Sequence, residues 1–578
     1  MLSTSILFIT LVLLLLYLGS RKPKRYPPGP KWWPVIGSAL EVARLRRETG
    51  YLFKSCSELC KKYGPVVGLK IGADRLVILN SYESIKSMVA NEDCDGRPIG
   101  PIYEARTWGK RRGLLVVDGK LWVEQRRFVL RHLREFGFGR TSMATIIEEE
   151  VYILVQRFKS LLQNGYNDKI SISEKKGVSY MDNNNISDGQ IYKLEKDSLK
   201  NKKNSTKTKF SLSSDEFEDF QKAEKPLKPA DMYVKAEDYA EVRKVSQTAG
   251  MIISMHDAFG VSVLNTLWKM MAGKRYNTED KELNYLQRIL TKLLYEIDMI
   301  GAPFSHFPIL KYLAPELSGY KPFVEMHQQL WKFLWDELES HKKNLNPNAP
   351  KDLMDAYLIA ISEEGKHSTF SDSQLLAICV DLFMAGSETT AKTLGFCMMY
   401  LILDPSIQIK AHEEIDRVIG RDRFPTLNDR PRMPYVNAIA MESLRMFMGR
   451  TLNIPHRAVK DTSILGYNIP KDTMIVVNFN RVLMDDSWGD PEEFRPERFL
   501  DENGKLSVPD QFCPFSLGRH RCMGEVLAKS NVFLMIAAML QSFNFACVPG
   551  EKKPSKSDFV DGVTAGPKPF KALVSLRT

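Results

Sequence analysis

Hydrophobic and polar positions divide the 578-residue chain into stretches of different character. Leu2 to Leu18 runs without a charge, close to the roughly 17–25 residues that cross a bilayer. Arg21, Lys22, Lys24 and Arg25 come next, which predicts an uncleaved signal anchor with the downstream chain on the cytoplasmic side. Pro27-Pro28-Gly29-Pro30 predicts a stiff, non-helical hinge, because each proline restricts its own φ and the residue before it. Leu76 to Leu79 is a short apolar run bounded by Asp74-Arg75 and Asn80-Ser81 and reads as a strand, whereas most of the chain beyond it has helical spacing. Two stretches, 375–403 and the helix after Gly524, are apolar nearly all round and so predict buried helices. Between about 164 and 236 the pattern is lost. Asp182-Asn-Asn-Asn-Ile-Ser and Lys200-Asn-Lys-Lys-Asn-Ser-Thr-Lys leave too little burial to offset ordering entropy, which predicts a disordered insertion.

Composition bounds the partners. With 44% hydrophobic residues the chain can bury a large core, and its net charge of +11 suits a membrane surface or an acidic protein. No basic motif interleaved with aromatics occurs, so nucleic acid is not expected. Cysteines stand at 56, 60, 94, 379, 397, 513, 522 and 547 without a Cys-x-x-Cys pair, which suggests neither a zinc site nor a disulfide framework.

The segment Phe515-Ser-Leu-Gly518-Arg519-His520-Arg521-Cys522-Met523-Gly524 carries the strongest chemical signal. Gly518 and Gly524 open backbone conformations closed to residues with a Cβ and allow close approach to a flat ligand. Charge from Arg519, Arg521 and His520, with a helix N-terminus near Gly524, would lower the Cys522 thiol pKa. A core cysteine beside a basic turn is the plain alternative. In Ala385-Gly386-Ser387-Glu388-Thr389-Thr390 an acid and a hydroxyl stand side by side within a helix of core residues, a composition helix stability does not select. Threonines bonded back to the preceding turn would account for the hydroxyls without chemistry. Glu442 and Arg445 are spaced i, i+3 on a helix, ordinarily a surface pair worth under about 1 kcal/mol. Trp122 and Arg126 share a helix face at i, i+4, and Arg127, Arg131 and Arg134 form a basic stripe on the same helix.

Together these motifs resemble the cytochrome P450 superfamily. The cysteine loop matches its Phe-x-x-Gly-x-Arg-x-Cys-x-Gly pattern, with His520 where the family usually has Arg; the 385–390 segment matches its oxygen-activation motif; and Glu442-x-x-Arg445 with Phe494-Arg-Pro-Glu-Arg498-Phe matches its structural pair of motifs. Met484 stands where many members have His. The resemblance implies a mainly α, haem-thiolate fold, a helical bundle with small β-sheets. It implies a transmembrane anchor at 1–20, a basic stop and proline hinge at 21–38, and one monooxygenase domain at 39–578, interrupted by the insertion. Cys522 is then the axial ligand of haem b, within a loop shaped by Phe515, Gly518 and Gly524. Trp122, Arg126, His456 and His520 would reach its propionates, His456 being favoured over Arg457. Glu388 would supply protons beside Thr389, and Glu442, Arg445 and Arg498 would form a buried structural network.

The reaction implied is insertion of one atom of O2 into a lipophilic small molecule. Electrons would come from NADPH through a flavoprotein reductase docked on a basic face including Arg127, Arg131 and Arg134. Pro30-Lys-Trp-Trp-Pro34 and Asp118 to Phe128 resemble arthropod members of the clan that holds vertebrate steroid and drug hydroxylases. That points to an ecdysteroid-type steroid or a terpenoid hormone-type substrate, with a xenobiotic as alternative, in the endoplasmic reticulum membrane. Pocket candidates are Met299, Ile300, Phe304 and Phe383. A haem-thiolate isomerase or ligand-binding protein is the alternative from another class, and it would not need Glu388 and Thr389.

Overall fold

The computed structural model describes Thr10, Leu14, Tyr17 and residues 19–139, 141–173, 233–234, 250–277, 279–298, 300–364 and 369–577. They fall into two units, Met1–Phe158 with Ile253–Thr578, and Lys159–Ile252. In the second, the helix Thr141–Ser173 carries its backbone into the predicted insertion and Tyr233–Val234 pairs antiparallel with Gly250–Met251. Residues 174–232 of the predicted insertion lie outside the described residues, as does most of the predicted anchor at 1–20. Among the described residues no helix is long and apolar enough to cross a membrane.

The helices that carry the site in the larger unit are α1 (Tyr82–Val89), α2 (Gly119–Glu135), α3 (Gly260–Ala272), α4 (Lys281–Glu296), α5 (Tyr320–Asn344), α6 (Leu353–Glu364), α7 (Asp372–Leu403), α8 (Pro434–Met448) and α9 (Glu525–Ser542). Ser371 starts α7 by accepting the Gln374 N–H at 3.2 Å, satisfying one of the orphan donors of a helix start. From there α7 runs for 32 residues, about 48 Å at 1.5 Å per residue, almost wholly buried, as its apolar composition predicts. Gly386 lies against α3, where a Cβ would come within 2.4 Å of Leu267 Cδ2. Its lack of a side chain serves close helix packing, and α7 is unbroken through it.

A four-stranded sheet has the order β1 (Val66–Ile71), β2 (Asp74–Leu79), β4 (Met474–Val477), β3 (His456–Arg457). β1 and β2 form a hairpin with Ile71 opposite Asp74, which starts the second strand two residues earlier than its apolar run. Leu76 pairs with Met474 in parallel and His456 with Ile475 antiparallel, a non-local closure that brings His456 toward the N-terminal loops. The proline hinge seats on β1: Gly68 N donates to Pro28 O at 2.7 Å, and the Tyr26 hydroxyl to Leu76 O at 2.9 Å.

The proximal end of the unit is tied by one carboxylate. Glu442 in α8 receives Arg445 Nε at 2.7 Å and Nη2 at 2.8 Å, and Arg498 Nε at 3.0 Å. Arg495 N completes the set at 3.0 Å. Arg445 spends its remaining donors on Leu483 O and Pro491 O, and Arg498 on Asp490 O, Glu493 O and Trp488 O. Both Glu442 and Arg445 are 0% exposed, so the spacing that reads as a surface pair is a core network. Met484 Sδ takes a further Arg445 contact at 3.2 Å in place of the family's usual histidine.

A second buried cluster joins α5 to α6. His341 is held by Asp352 Oδ2 at 3.1 Å and Glu337 Oε1 at 3.1 Å, and Lys274 pairs with Glu337 at 2.8 Å. His341, Asp352 and Asp355 have the spacing of a metal set, but the imidazole is already engaged by two carboxylates. Burial opposes the imidazolium, and the hydrogen bonds to Asp352 and Glu337 outweigh it, lifting the pKa to about 10.

Both clusters lend themselves to direct tests. Glu442→Gln leaves two buried guanidiniums without a counter-charge and should cost about 3–5 kcal/mol, read as a lower unfolding midpoint and a smaller fraction of carbon monoxide-competent protein. The folded-state pKa of His341 is raised, so its contribution is complete below the unfolded value near 6.5 and fades as pH rises through about 10. The thermal midpoint between pH 7 and 10 should therefore fall in the parent protein and fall less in His341→Gln.

Candidate functional site

The cysteine loop closes on itself before α9. Cys522 N donates to Phe515 O at 2.9 Å and Arg521 N to Gly518 O at 3.2 Å. Gly518 has φ +73°, and a Cβ there would come within 2.8 Å of Val89 Cβ in α1, so both conformation and space demand glycine. Ser516 also takes a positive φ, +61°. Gly524 stands at the N-cap of α9, with space for a Cβ ending 3.8 Å from Cys522 Sγ. All eight cysteines are free, and Cys522 alone is exposed.

The expected activation of the thiol by loop cations is not what the structure shows. Although the Cys522 surface is open, protein crowds it on its other sides, and that desolvation raises its pKa; the Gly524 N–H opposes it, Glu525 adds to it, and Arg126 and Arg521 work against it. The loop cations are spent elsewhere. Arg521 pairs with Glu525 at 2.6 Å and Arg519 with Asp95 at 3.0 Å. Burial and the charges of Arg97, Arg126 and Arg519 push the His520 pKa down to about 3 against its bond to Asp95 O. Its Nε2 bonds Asp95 O at 2.9 Å, and its ring lies 4.1 Å from Trp122 and 5.1 Å from His456. Burial among these cations opposes a positive charge on His520.

Around this ring pair the other expected residues gather. Arg126, in α2, donates Nη2 to Arg521 O at 2.9 Å and lies 5.3 Å over the Trp122 ring. His456, on β3, is buried with Nδ1 3.0 Å from Cys94 O. Arg457 is engaged by Asp118 at 3.0 Å and Asp472 at 2.7 Å, which leaves His456 as the freer neighbour. Sequence reasoning misses Arg97. Its guanidinium is 6% exposed, with Nη1 on Ile454 O and Pro455 O at 2.9 Å each and Nε buried without a partner. Burial and the charge of Arg126 push its pKa down to about 10 against Asp95 and Asp118. Its one sequence signal is a guanidinium between Gly96 and Pro98, which reads as an ordinary turn. One buried and one half-buried guanidinium, Arg97 and Arg126, with two imidazoles and an open thiol fit a flat ligand with two carboxylates and a thiophilic metal, as haem is.

On α7 the acid and the hydroxyl part company. The Thr389 hydroxyl donates to Ala385 O at 2.7 Å, the back-bond of the plain reading. Glu388 turns instead to α4, its Oε1 accepting from the Thr291 hydroxyl at 2.7 Å. The pocket candidates also sort differently. Phe304 packs on Tyr320 and Phe323, and Phe383 on Trp268 and Phe333, all as core rings. Ile300 is buried, and Met299 lies outside the described residues. Asp381 of α7 holds the 106–115 loop: it pairs with Arg106 and accepts Leu114 N at 2.5 Å and Leu115 N at 2.8 Å. Gln374 brackets Gly113 with bonds of 3.1 and 3.0 Å.

The basic stripe faces solvent, with Arg127, Arg131 and Arg134 exposed and Arg131 paired to Glu135 at 3.3 Å. Arg127 and Arg131 border a groove of about 990 Å³ whose lining also includes Asp95, Asp118, Arg519 and His520. The face is therefore mixed in charge where the stripe alone suggests a basic patch.

The Cytochrome P450 family profile matches residues 27–188 and 169–574. Probable cytochrome P450 303a1 of Drosophila melanogaster is 40% identical over 578 residues, covering 99% of this chain and 98% of the relative. Farnesoate epoxidase of Bombyx mori is 30% identical over 574 residues, 99% of this chain and 98% of its own. Cytochrome P450 2H1 of Gallus gallus is 27% identical over 566 residues, 97% and 96% of the two chains. The chain thus belongs to the cytochrome P450 family of haem-dependent monooxygenases.

Proposed function

We propose that this monooxygenase binds haem b through Cys522 and oxygenates a lipophilic terpenoid of the hormone type. The observation that carries the reading is the open Cys522 thiol together with buried Arg97 and half-buried Arg126, whose guanidiniums burial holds below the ordinary arginine pKa. In this reading Arg97 and Arg126 receive the two ring carboxylates, His456 and Trp122 flank them, and neutral His520 contributes a stacked ring. When bound, haem supplies the chemistry that splits O2 and puts one atom into substrate. The protein's part is to hold the thiolate, with the Gly524 N–H turned to the sulfur and the Phe515–Cys522 bond fixing the loop. Glu388 holds the proton to be delivered, and the Thr389 hydroxyl keeps its lone pairs for a neighbour while its proton is bonded to Ala385 O. Those two residues favour turnover over a haem-thiolate protein without oxygenase activity.

The terpenoid reading rests on likeness to the Bombyx mori protein named as a farnesoate epoxidase, along nearly the whole of both chains. An ecdysteroid is the second substrate class. Electrons come from NADPH through a flavoprotein reductase on the face of Arg127, Arg131 and Arg134. Placement at the cytoplasmic side of the endoplasmic reticulum membrane is supported by the basic run after Leu18. It is also supported by Ile309, Tyr312, Leu313 and Leu317, four exposed apolar side chains in one short stretch, Leu317 at 92%.

With reductase, NADPH and farnesoic acid, the expected product carries one oxygen atom from labelled O2, and ecdysone is the comparison substrate. Oxygenation of ecdysone alone would remove the terpenoid reading. Cys522→Ser should abolish both the thiolate-type carbon monoxide spectrum and turnover; retention of that spectrum would remove Cys522 as ligand. Arg97→Met should speed haem transfer to apomyoglobin roughly tenfold or more, the loss of a charged hydrogen bond, with the thiolate spectrum kept.

A further inference from the structure

Two buried polar atoms near the 106–115 loop have no hydrogen-bond partner, Arg106 Nη1 and His327 Nε2. Arg106 follows the short helix Pro101–Ala105 and is 6% exposed. An arginine and a carboxylate ordinarily close as a fork with two parallel bonds. Here Asp381 gives Arg106 only Oδ1, to Nη2, because its Oδ2 already accepts Leu114 N and Leu115 N. Gly113 lets the chain come that close, since a Cβ there would stand 2.2 Å from Asp381 Oδ2. The fork is therefore left half open, with a charged donor over.

The second atom comes from α5. His327 is 1% exposed, and its Nδ1 lies 2.8 Å from Phe323 O. A carbonyl only accepts, so Nδ1 carries the proton and Nε2 of the uncharged ring presents a lone pair. Burial, with the charge of Arg106 adding to it, pushes the His327 pKa down to about 3 against the Phe323 bond. One turn along the same face, Trp331 Nε1 donates to Arg106 O at 3.1 Å and seats α5 on the arginine. The Trp331 ring lies 6.0 Å from His327 and 4.6 Å from Trp108. On the α7 side, Met384 Sδ stands 3.9 Å from Arg106 Nη2. A spare donor and a spare acceptor thus come together where the 101–106 segment, α5 and α7 meet.

We propose that Arg106 and His327 form a subsite for the carboxyl group of a lipophilic acid, the polar end of the substrate. The subsite rests on the reading of the protein as an oxygenase of lipophilic terpenoids. A carboxyl answers both atoms at once: one oxygen accepts from Arg106 Nη1, and the protonated oxygen donates to His327 Nε2. An ester has no proton to give, and a hydrocarbon answers neither atom. Arg106 and Asp381 already balance each other, so an uncharged acid adds no net charge to the interior. Asp381 and Glu388 lie on one face of α7, seven residues or about 10 Å apart. The carboxyl is held that far from Glu388, and the carbon to be oxidised lies well along the chain from it.

The test measures binding to the haem-loaded protein by equilibrium dialysis, with farnesoic acid, methyl farnesoate and farnesol, and with dodecanoic acid and its methyl ester. The parent should bind each acid roughly tenfold or more tightly than its ester, the worth of a charged hydrogen bond. Farnesol should bind no better than the ester. His327→Leu, and Arg106→Lys, which keeps a cation for Asp381, should each remove the preference for the acid. The carbon monoxide spectrum reports folding, and if Arg106→Lys does not fold, His327→Leu decides. Absence of an acid preference in the parent with both skeletons overturns the proposal, as does a preference that the folded variants keep. Farnesol bound as tightly as farnesoic acid overturns the carboxyl in favour of a hydroxyl. If no farnesyl compound binds while dodecanoic acid is preferred in the parent and not in the variants, the terpenoid reading falls and the subsite stands.

Discussion

One buried carboxylate, Glu442, ties α8 to the segment between Leu483 and Arg498. Glu442 accepts from two guanidiniums and a backbone N–H, and those guanidiniums in turn gather carbonyls from five residues between Leu483 and Glu493. A buried ion pair is weak evidence of net stability, since apolar residues of the same volume often do as well. Its value here is directional. Carbonyls of an irregular segment cannot be satisfied by a helix or a strand, and a guanidinium presents five donors in a fixed fork. The irregular 483–498 segment is held by α8 in this way, and the cysteine loop comes after it in the chain.

The opposite imbalance marks the site. Arg97 and Arg126 both have depressed pKa values: burial lowers both, and the charge of Arg126 lowers Arg97 further against Asp95 and Asp118. Charge that a fold has not neutralised by its own means is a statement about what it binds. The same environment drives His520 to its neutral form, so the ring substituted for the family's usual arginine enters as an aromatic surface between Trp122 and His456. The thiol behaves similarly. Its pKa lies above the free value, because burial outweighs the Gly524 N–H and the charges of Arg126 and Arg521.

Much of this is legible in one dimension. The cysteine loop, the Glu442–Arg445–Arg498 set, the buried α7 and the Trp122–Arg126 face are local patterns, set by spacing within one or two short segments. What escapes depends on side chains meeting across the fold. Arg97 acquires meaning only through carbonyls more than 350 residues away, and the Lys392–Glu388 pair looks like any i, i+4 surface pair until α4 covers it. Phe304 and Phe383 read as pocket residues because an aromatic side chain serves a core and a cavity equally well, and only their neighbours tell which. Gly386 stands within the segment that resembles the oxygen-activation motif, and the neighbour it accommodates is Leu267.

Asp381 settles which side of the unit can open. Its carboxylate is nearly water-free and is shared among Arg106 and the amides of Leu114 and Leu115. Swinging the 106–115 loop away would strand that carboxylate and a guanidinium in apolar surroundings at once, a cost no greasy visitor could return. The loop is a wall and not a door. By contrast, the stretch from Ile309 to Leu317 shows four apolar side chains outward, those of Ile309, Tyr312, Leu313 and Leu317.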